Sequence, residues 1–113
     1  MVILQVNYCY KNMTREQWEQ RYTDATAQKF LSVDGLQWKI WLDGEGEPRV
    51  GGIYLFETRA KAEAYLNGPI VAGMKSNPNI ENLETRIFNV RDRMSAITHA
   101  PVPGLAPVDQ AAE

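Results

Sequence analysis

Two apolar blocks face each other across a short polar turn, and this pair constrains the fold more than any other feature of the chain. The first reads Gly35-Leu36-Gln37-Trp38-Lys39-Ile40-Trp41, and the second reads Gly51-Gly52-Ile53-Tyr54-Leu55-Phe56. Their β-branched and aromatic content predicts strands. Asp43-Gly44-Glu45-Gly46-Glu47-Pro48 between them predicts a hairpin loop. An antiparallel sheet with one wet face should alternate cleanly between apolar and polar residues. Here large apolar residues fall on both faces. Leu36, Trp38, Ile40 and Leu42 are expected to point one way, with Gln37, Lys39, Trp41 and Asp43 opposite, while Tyr54 and Phe56 oppose Ile53 and Leu55. One layer of helices covers one face only. A two-fold partner bringing an equivalent sheet is the expected cover for the other, so a homodimer is predicted. The alternative is a solvated face with a few surface aromatics. The turn type leaves the hairpin register open, and a one-residue slip decides whether Trp38 or Trp41 shares a face with Tyr54.

The remaining segments supply partners for this hairpin. Val2 to Tyr10 reads as a first strand. Thr14 and Gln17 form a capping-box pattern, and Trp18, Tyr22, Ala25 and Phe30 mark the buried stripe of a single helix from about 14 to 32. The hairpin strands run from about 36 to 43 and 49 to 57. Thr58 caps a short helix that Gly68-Pro69 ends, and Ile70 to Lys75 adds a further helical turn. Asn82 to Val90 reads as the last strand. The order βαββαβ is an α+β, ferredoxin-like arrangement with an antiparallel sheet. Residues 1–98 form this domain, and 99–113 form a Pro/Ala-rich tail expected to be disordered or laid on a partner subunit.

Composition excludes several classes of function. The 113 residues carry a formal net charge of −2, which offers no electrostatic case for nucleic acid. RNA recognition motifs share the βαββαβ order, but Val50, Gly51 and Ile53 occupy the glycine and base-stacking positions of their signature. One cysteine, Cys9, rules out an internal disulfide, and one histidine, His99, argues against a His-based metal site or a Ser-His or Cys-His pair. No apolar run is long enough for a bilayer span, and the N-terminus shows no basic leader; the expectation is a cytoplasmic protein with no membrane contact. Gly51-Gly52 marks a bulge or a close backbone approach rather than a phosphate loop.

With these residues in view, the chain resembles the YdhR-type mono-oxygenases of the antibiotic-biosynthesis-monooxygenase-like group. The resemblance rests on Gly35, Trp38-Lys39-Ile40-Trp41, Gly51 to Phe56, Ala64-Tyr65-Leu66 and Ile87-Phe88-Asn89-Val90, and covers about residues 2–98. The helix from 14 to 32 matches poorly, and the tail looks like an addition. The resemblance implies a dimeric α+β barrel with its two sheets packed together and a pocket between sheet and helices in each subunit. Activity in the wider group includes oxygenation of polycyclic aromatics with no flavin, haem or metal. For the YdhR-type branch the mono-oxygenase label is an inference from fold.

Cofactor-free oxygenation needs an electron-rich substrate that loses a proton and passes an electron to O₂. The protein supplies a dry aromatic pocket, a proton acceptor and hydrogen-bond donors for the anion. Trp38, Tyr54 and Asn7 are the candidate catalytic residues, because a buried indole, phenol or carboxamide needs a polar partner. Trp18, Tyr22, Trp41, Phe56 and Lys39 are the candidate substrate-binding residues, and each aromatic has the competing reading of plain core or dimer packing. Lys39, between two tryptophans, either stabilises an enolate or pairs with a carboxylate, or snorkels to the edge with its stem on an indole. No general base is identifiable. The expected function is a cofactor-independent mono-oxygenase acting with O₂ on a hydrophobic aromatic or polyketide-like molecule. The alternatives are a non-catalytic binding dimer, or an isomerase or cyclase on the same fold.

Overall fold

The computed structural model describes residues 1–104. Strand β1 (Val2–Tyr10) is followed by helices α1 (Arg15–Glu19) and α2 (Asp24–Lys29), and by a 3-10 turn at Phe30–Ser32. Strands β2 (Leu36–Asp43) and β3 (Arg49–Phe56) form the hairpin. Helices α3 (Arg59–Leu66) and α4 (Pro69–Ser76), strand β4 (Ile80–Asn89) and helix α5 (Asp92–Ile97) complete the chain. The four strands lie in the order β2-β3-β1-β4, and every pairing is antiparallel. This is the ferredoxin-like α+β fold that the element order predicts.

Helices α1 to α4 cover one sheet face. Val2, Leu4 and Val6 of β1 meet Tyr54 and Phe56 of β3, Ala62 and Tyr65 of α3, and Val71 of α4 in the main core. A smaller cluster of Tyr10, Trp18 and Val50 lies at the other end of this face. Thr58 caps α3 by accepting from the Lys61 amide, and Pro69 opens α4, where a missing amide hydrogen costs nothing.

Three expectations need correction. The segment 14–32 is not one helix. Thr23 takes an extended conformation and its hydroxyl accepts from the Thr26 amide, which stops α1 and starts α2. A threonine flanked by Asp24 is a better cap than an interior residue, so capping overrides the helical periodicity. Second, Leu36 does not share a face with Trp38. Gln37 is an extra residue in β2, so Leu36 pairs with Phe56 while Trp38 pairs with Leu55. This bulge reverses the alternation after one residue. Third, residues 91–98, unassigned in the sequence, hold helix α5.

The bulge settles the register. Lys39 pairs with Tyr54 and Trp41 with Gly52, so both point to the helix side, while Trp38 and Ile40 share the opposite face with Leu55 and Ile53. On that second face Leu55 is fully buried, whereas Ile40 and Phe88 are 48% and 47% exposed. Trp38 Nε1 donates to the Pro101 carbonyl at 2.7 Å, which ties the start of the tail to this face. The rest of the tail, 105–113, lies outside the described residues.

Gly51-Gly52 marks close approaches, not a bulge. A Cβ on Gly51 would sit 2.2 Å from the Val6 carbonyl oxygen and 2.6 Å from Asn7 Oδ1. A Cβ on Gly52 would sit 2.9 Å from Lys39 Cε. The first glycine lets β1 and β3 meet, and the second makes room for a lysine.

Candidate functional site

A cavity of about 430 Å³ opens between the sheet and α2, α3 and α4. Its floor is the helix-side face of three strands. Tyr8 and Tyr10 come from β1, Lys39 and Trp41 from β2, and Tyr54 from β3. The walls are Arg21 and Tyr22 of the segment after α1, Lys29 and Phe30 at the end of α2, and Tyr65 of α3.

Lys39 is the centre of this arrangement. Its Nζ lies 3.3 Å from the Trp41 ring centroid, 3.7 Å from that of Phe30 and 4.7 Å from that of Tyr54. Trp41 closes the cage edge-on, at 84° to Phe30 and 86° to Tyr22. Among the described residues, no carboxylate pairs with Lys39. Burial pushes its pKa down to about 7. The π faces around it act in the other direction, because they attract the cation. The side chain neither snorkels to the edge nor meets an acid.

Phenols surround the lysine. Tyr65 donates its hydroxyl to Tyr54 at 3.3 Å, and the Tyr10 and Tyr22 hydroxyls lie 3.1 Å apart. Burial raises the pKa of Tyr8, Tyr22, Tyr54 and Tyr65. These four phenols therefore stay protonated near neutral pH and serve as hydrogen-bond donors.

The candidate residues divide into three groups. Tyr22, Lys39, Trp41 and Tyr54 converge on the cavity. Trp18 and Phe56 are buried behind it: Phe56 packs in the main core, and Trp18 stacks on Tyr10 at 5.2 Å with its Nε1 unpartnered. Trp38 and Asn7 lie on the other sheet face, so the grouping of Trp38, Asn7 and Tyr54 in one site is corrected by the Gln37 bulge and by the alternation of β1. Tyr8, Tyr10 and Tyr65 are cavity residues that the site reading missed. The signal was present for two of them, since Tyr8 and Tyr10 continue the even-numbered face of Leu4 and Val6.

Residues 3–101 match the family described as "Putative mono-oxygenase ydhR". The chain belongs to this family. No curated protein matches it at the sequence level. Among solved structures, the ydhR-family chain is similar to the haem degrader MhuD of Mycobacterium tuberculosis, which was solved with two hemes bound in its active site. Identity is 20% and the TM-score 0.60, with 80% of this chain and 96% of that one covered. It is similar to SnoaB, a cofactor-independent oxygenase from Streptomyces nogalater, at 15% identity and a TM-score of 0.59, covering 80% and 93% of the two chains. It is also similar to a putative antibiotic biosynthesis monooxygenase from Deinococcus radiodurans, at 15% identity and a TM-score of 0.61, covering 80% and 92%. At these identities the likeness shows the fold. No helix among the described residues is long and apolar enough to cross a membrane.

Proposed function

We propose that this ydhR-family chain is a cofactor-independent mono-oxygenase acting on a hydrophobic aromatic or polyketide-like molecule held between sheet and helices. The observation that carries this reading is the aromatic cavity of about 430 Å³, which has the size and lining of a small-molecule site. The substrate supplies the electrons: when a ring CH₂ becomes a carbonyl, one atom of O₂ enters the product and the other leaves as water. Tyr54, Tyr22, Trp41 and Lys39 are the proposed site residues. Protonated phenols donate to the developing anion, and the cage excludes water from it.

The cavity is a poor fit to haem. Haem iron takes an axial His, Cys, Tyr or Met. The cavity wall offers no imidazole and no thiolate. Met74 alone is a weak ligand, the Tyr8, Tyr22, Tyr54 and Tyr65 phenols are held protonated by burial, and the Tyr10 hydroxyl is engaged with that of Tyr22 at 3.1 Å. Among the described residues no group of three His, Cys, Asp or Glu side chains is placed to hold a metal ion.

The assembly we propose is a cytoplasmic homodimer of the 1–98 domain, with the 99–113 tail as an appendage. Half-exposed Ile40 and Phe88 on the second sheet face support that cover. Light scattering of the purified chain reads it directly, and a monomer at micromolar concentration contradicts it.

The test of activity is O₂ uptake by the colourless protein with a panel of hydroxylated tricyclic and tetracyclic aromatics, with product mass read after incubation in ¹⁸O₂. Incorporation of one labelled oxygen is expected. The absence of any carboxylate or imidazole base in the cavity favours one second reading, a non-catalytic binding protein. A ligand that binds and is recovered unchanged after long aerobic incubation establishes that reading instead. A ligand rearranged without O₂ establishes an isomerase or cyclase.

A further inference from the structure

A cofactor-free site needs somewhere to put a proton, and carboxylates and imidazole are missing from this cavity wall. The charged side chains that line it are Arg21, Lys29 and Lys39, all basic. Arg21 is turned onto the Tyr10 ring, 5.6 Å from its centroid. The titratable groups that face Lys39 are phenols: Tyr54 beside it on β3, Tyr65 from α3, Tyr8 from β1 and Tyr22 across the cage. Burial raises all four, so none is a phenolate that could take a proton near neutral pH.

We propose that Lys39 is the proton acceptor of this cavity: its neutral amine takes the proton of an acidic aromatic ligand, and the ammonium so formed holds the anion. The ligand class is a phenol or an enolisable 1,3-dicarbonyl fused to an aromatic ring. In the step, an N–H bond forms at Nζ and the ligand's O–H or C–H bond breaks. Its electron pair stays on the ligand. This rests on the reading that the cavity binds an aromatic small molecule, and it adds the residue that ionises it.

Three features show that the site is built for this. Gly52 is the cross-strand partner of Trp41, and its missing side chain is the space that Lys39 Cε occupies. A larger residue there would push the amine out of its cage. The amine has no ion-pair partner among the described residues, so no fixed carboxylate holds it in the protonated form. Burial disfavours the charged amine while three ring faces favour it, which keeps both protonation states within reach near neutral pH. Charge bookkeeping favours proton transfer after entry: a neutral acid and a neutral amine enter a partly desolvated site, and the ion pair forms inside it, already matched.

The test uses 3-nitrophenol, a weaker acid than its 4-isomer, whose anion is yellow and whose neutral form is not, and 3-nitroanisole, the same ring with no proton to give. Both are titrated without O₂ into the full-length protein at pH 7.5, where the Lys39 amine is mostly neutral and free 3-nitrophenol is mostly un-ionised. Wild type is expected to turn bound nitrophenol yellow and to bind it at least roughly tenfold more tightly than nitroanisole. Lys39→Met is expected to abolish the yellow form and bring the two affinities together. Bound nitrophenol that stays colourless in wild type overturns the proposal, as does yellow colour that persists in Lys39→Met. The wild-type comparison stands alone if the variant does not fold. Nitroanisole binding without nitrophenol ionisation defeats the Lys39 assignment and leaves the cavity reading intact. Binding of neither probe defeats both. Turnover does not enter the readout, so failure to oxygenate any substrate is a separate result.

Discussion

Lys39 and Tyr54 are direct cross-strand partners on β2 and β3, and the lysine Nζ lies 4.7 Å from the phenol ring centroid. A cation placed there loses hydration and gains only ring faces in return. The stability consequence has a definite sign. Lys39 has a folded-state pKa of about 7, against roughly 10.4 for an ordinary lysine. Below pH 7 the amine is protonated in both states and the folded state carries the burial cost in full. From pH 7 to about 10 the unfolded chain holds more protons, so folded stability rises with pH. Lys39→Met removes the charge and keeps the stem. It is expected to stabilise the fold at pH 6 by roughly 2–4 kcal/mol, with the advantage shrinking toward pH 10. Thermal melts of both proteins across that range check it, and a constant gap would show that no proton is involved.

The paired glycines separate fold from site. A Cβ at Gly51 meets the Val6 carbonyl oxygen at 2.2 Å, a backbone atom with nowhere to go. Gly51→Ala is expected to cost more than about 3 kcal/mol and to leave little soluble protein. At Gly52 the first contacts are Lys39 Cε at 2.9 Å and Tyr54 Cε1 at 3.0 Å, both in side chains. Gly52→Ala is expected to fold with a loss of about 1–2 kcal/mol and to displace the lysine. Denaturant midpoints rank the two variants, and equal losses would contradict the assignment of the glycines to different tasks.

Much of the fold was legible in the sequence, because each strand carries its own β-branched and aromatic run and each main crossover has a threonine cap. Thr58 and Thr14 both accept the amide hydrogen that their positions promise. The site was half legible. Lys39, Trp41, Tyr54 and Tyr22 meet in the cavity, yet Trp38 and Asn7 do not. The reason is local: one extra residue, Gln37, reverses the alternation of β2, and nothing in the residues around it announces a bulge. A second irregularity lies in β4, where Asn82 takes a positive φ of 55° as the β1–β4 register shifts. Tyr65 was hidden for a different reason. A short helix of eight residues carries little periodicity, so its tyrosine gave no sign of reaching across to Tyr54.

The Tyr65–Tyr54 hydrogen bond of 3.3 Å joins α3 to the sheet inside the cavity wall. Tyr54→Phe leaves the Tyr65 hydroxyl without its acceptor, and Tyr65→Phe leaves Tyr54 without its donor. Each is expected to cost about 1–2 kcal/mol. The double variant should cost less than the sum by about 0.5–1.5 kcal/mol, the signature of a direct pair. Urea denaturation of the four proteins closes this cycle. Strict additivity would mean that water satisfies both hydroxyls and that the bond contributes nothing.

Trp38 Nε1 donates to the Pro101 carbonyl at 2.7 Å, a short bond that anchors residues after α5 to β2. Trp38 also sits opposite fully buried Leu55, so its ring shields the strand pair as well as holding the tail. Trp38→Phe keeps an aromatic ring over Leu55 and deletes the donor. It is expected to cost about 1 kcal/mol, the worth of one hydrogen bond to a backbone carbonyl plus some lost ring area. The larger effect should be local. With the tie removed, the segment from α5 to Pro101 opens more often, and a protease that cuts after alanine should cleave the Ala96–Ile97 bond several-fold faster, the Ala100–Pro101 bond being resistant. Limited proteolysis with mass readout tests this. Unchanged cleavage alongside a loss of global stability would show that Trp38 acts through packing on Leu55 and that the bond to Pro101 holds nothing in place.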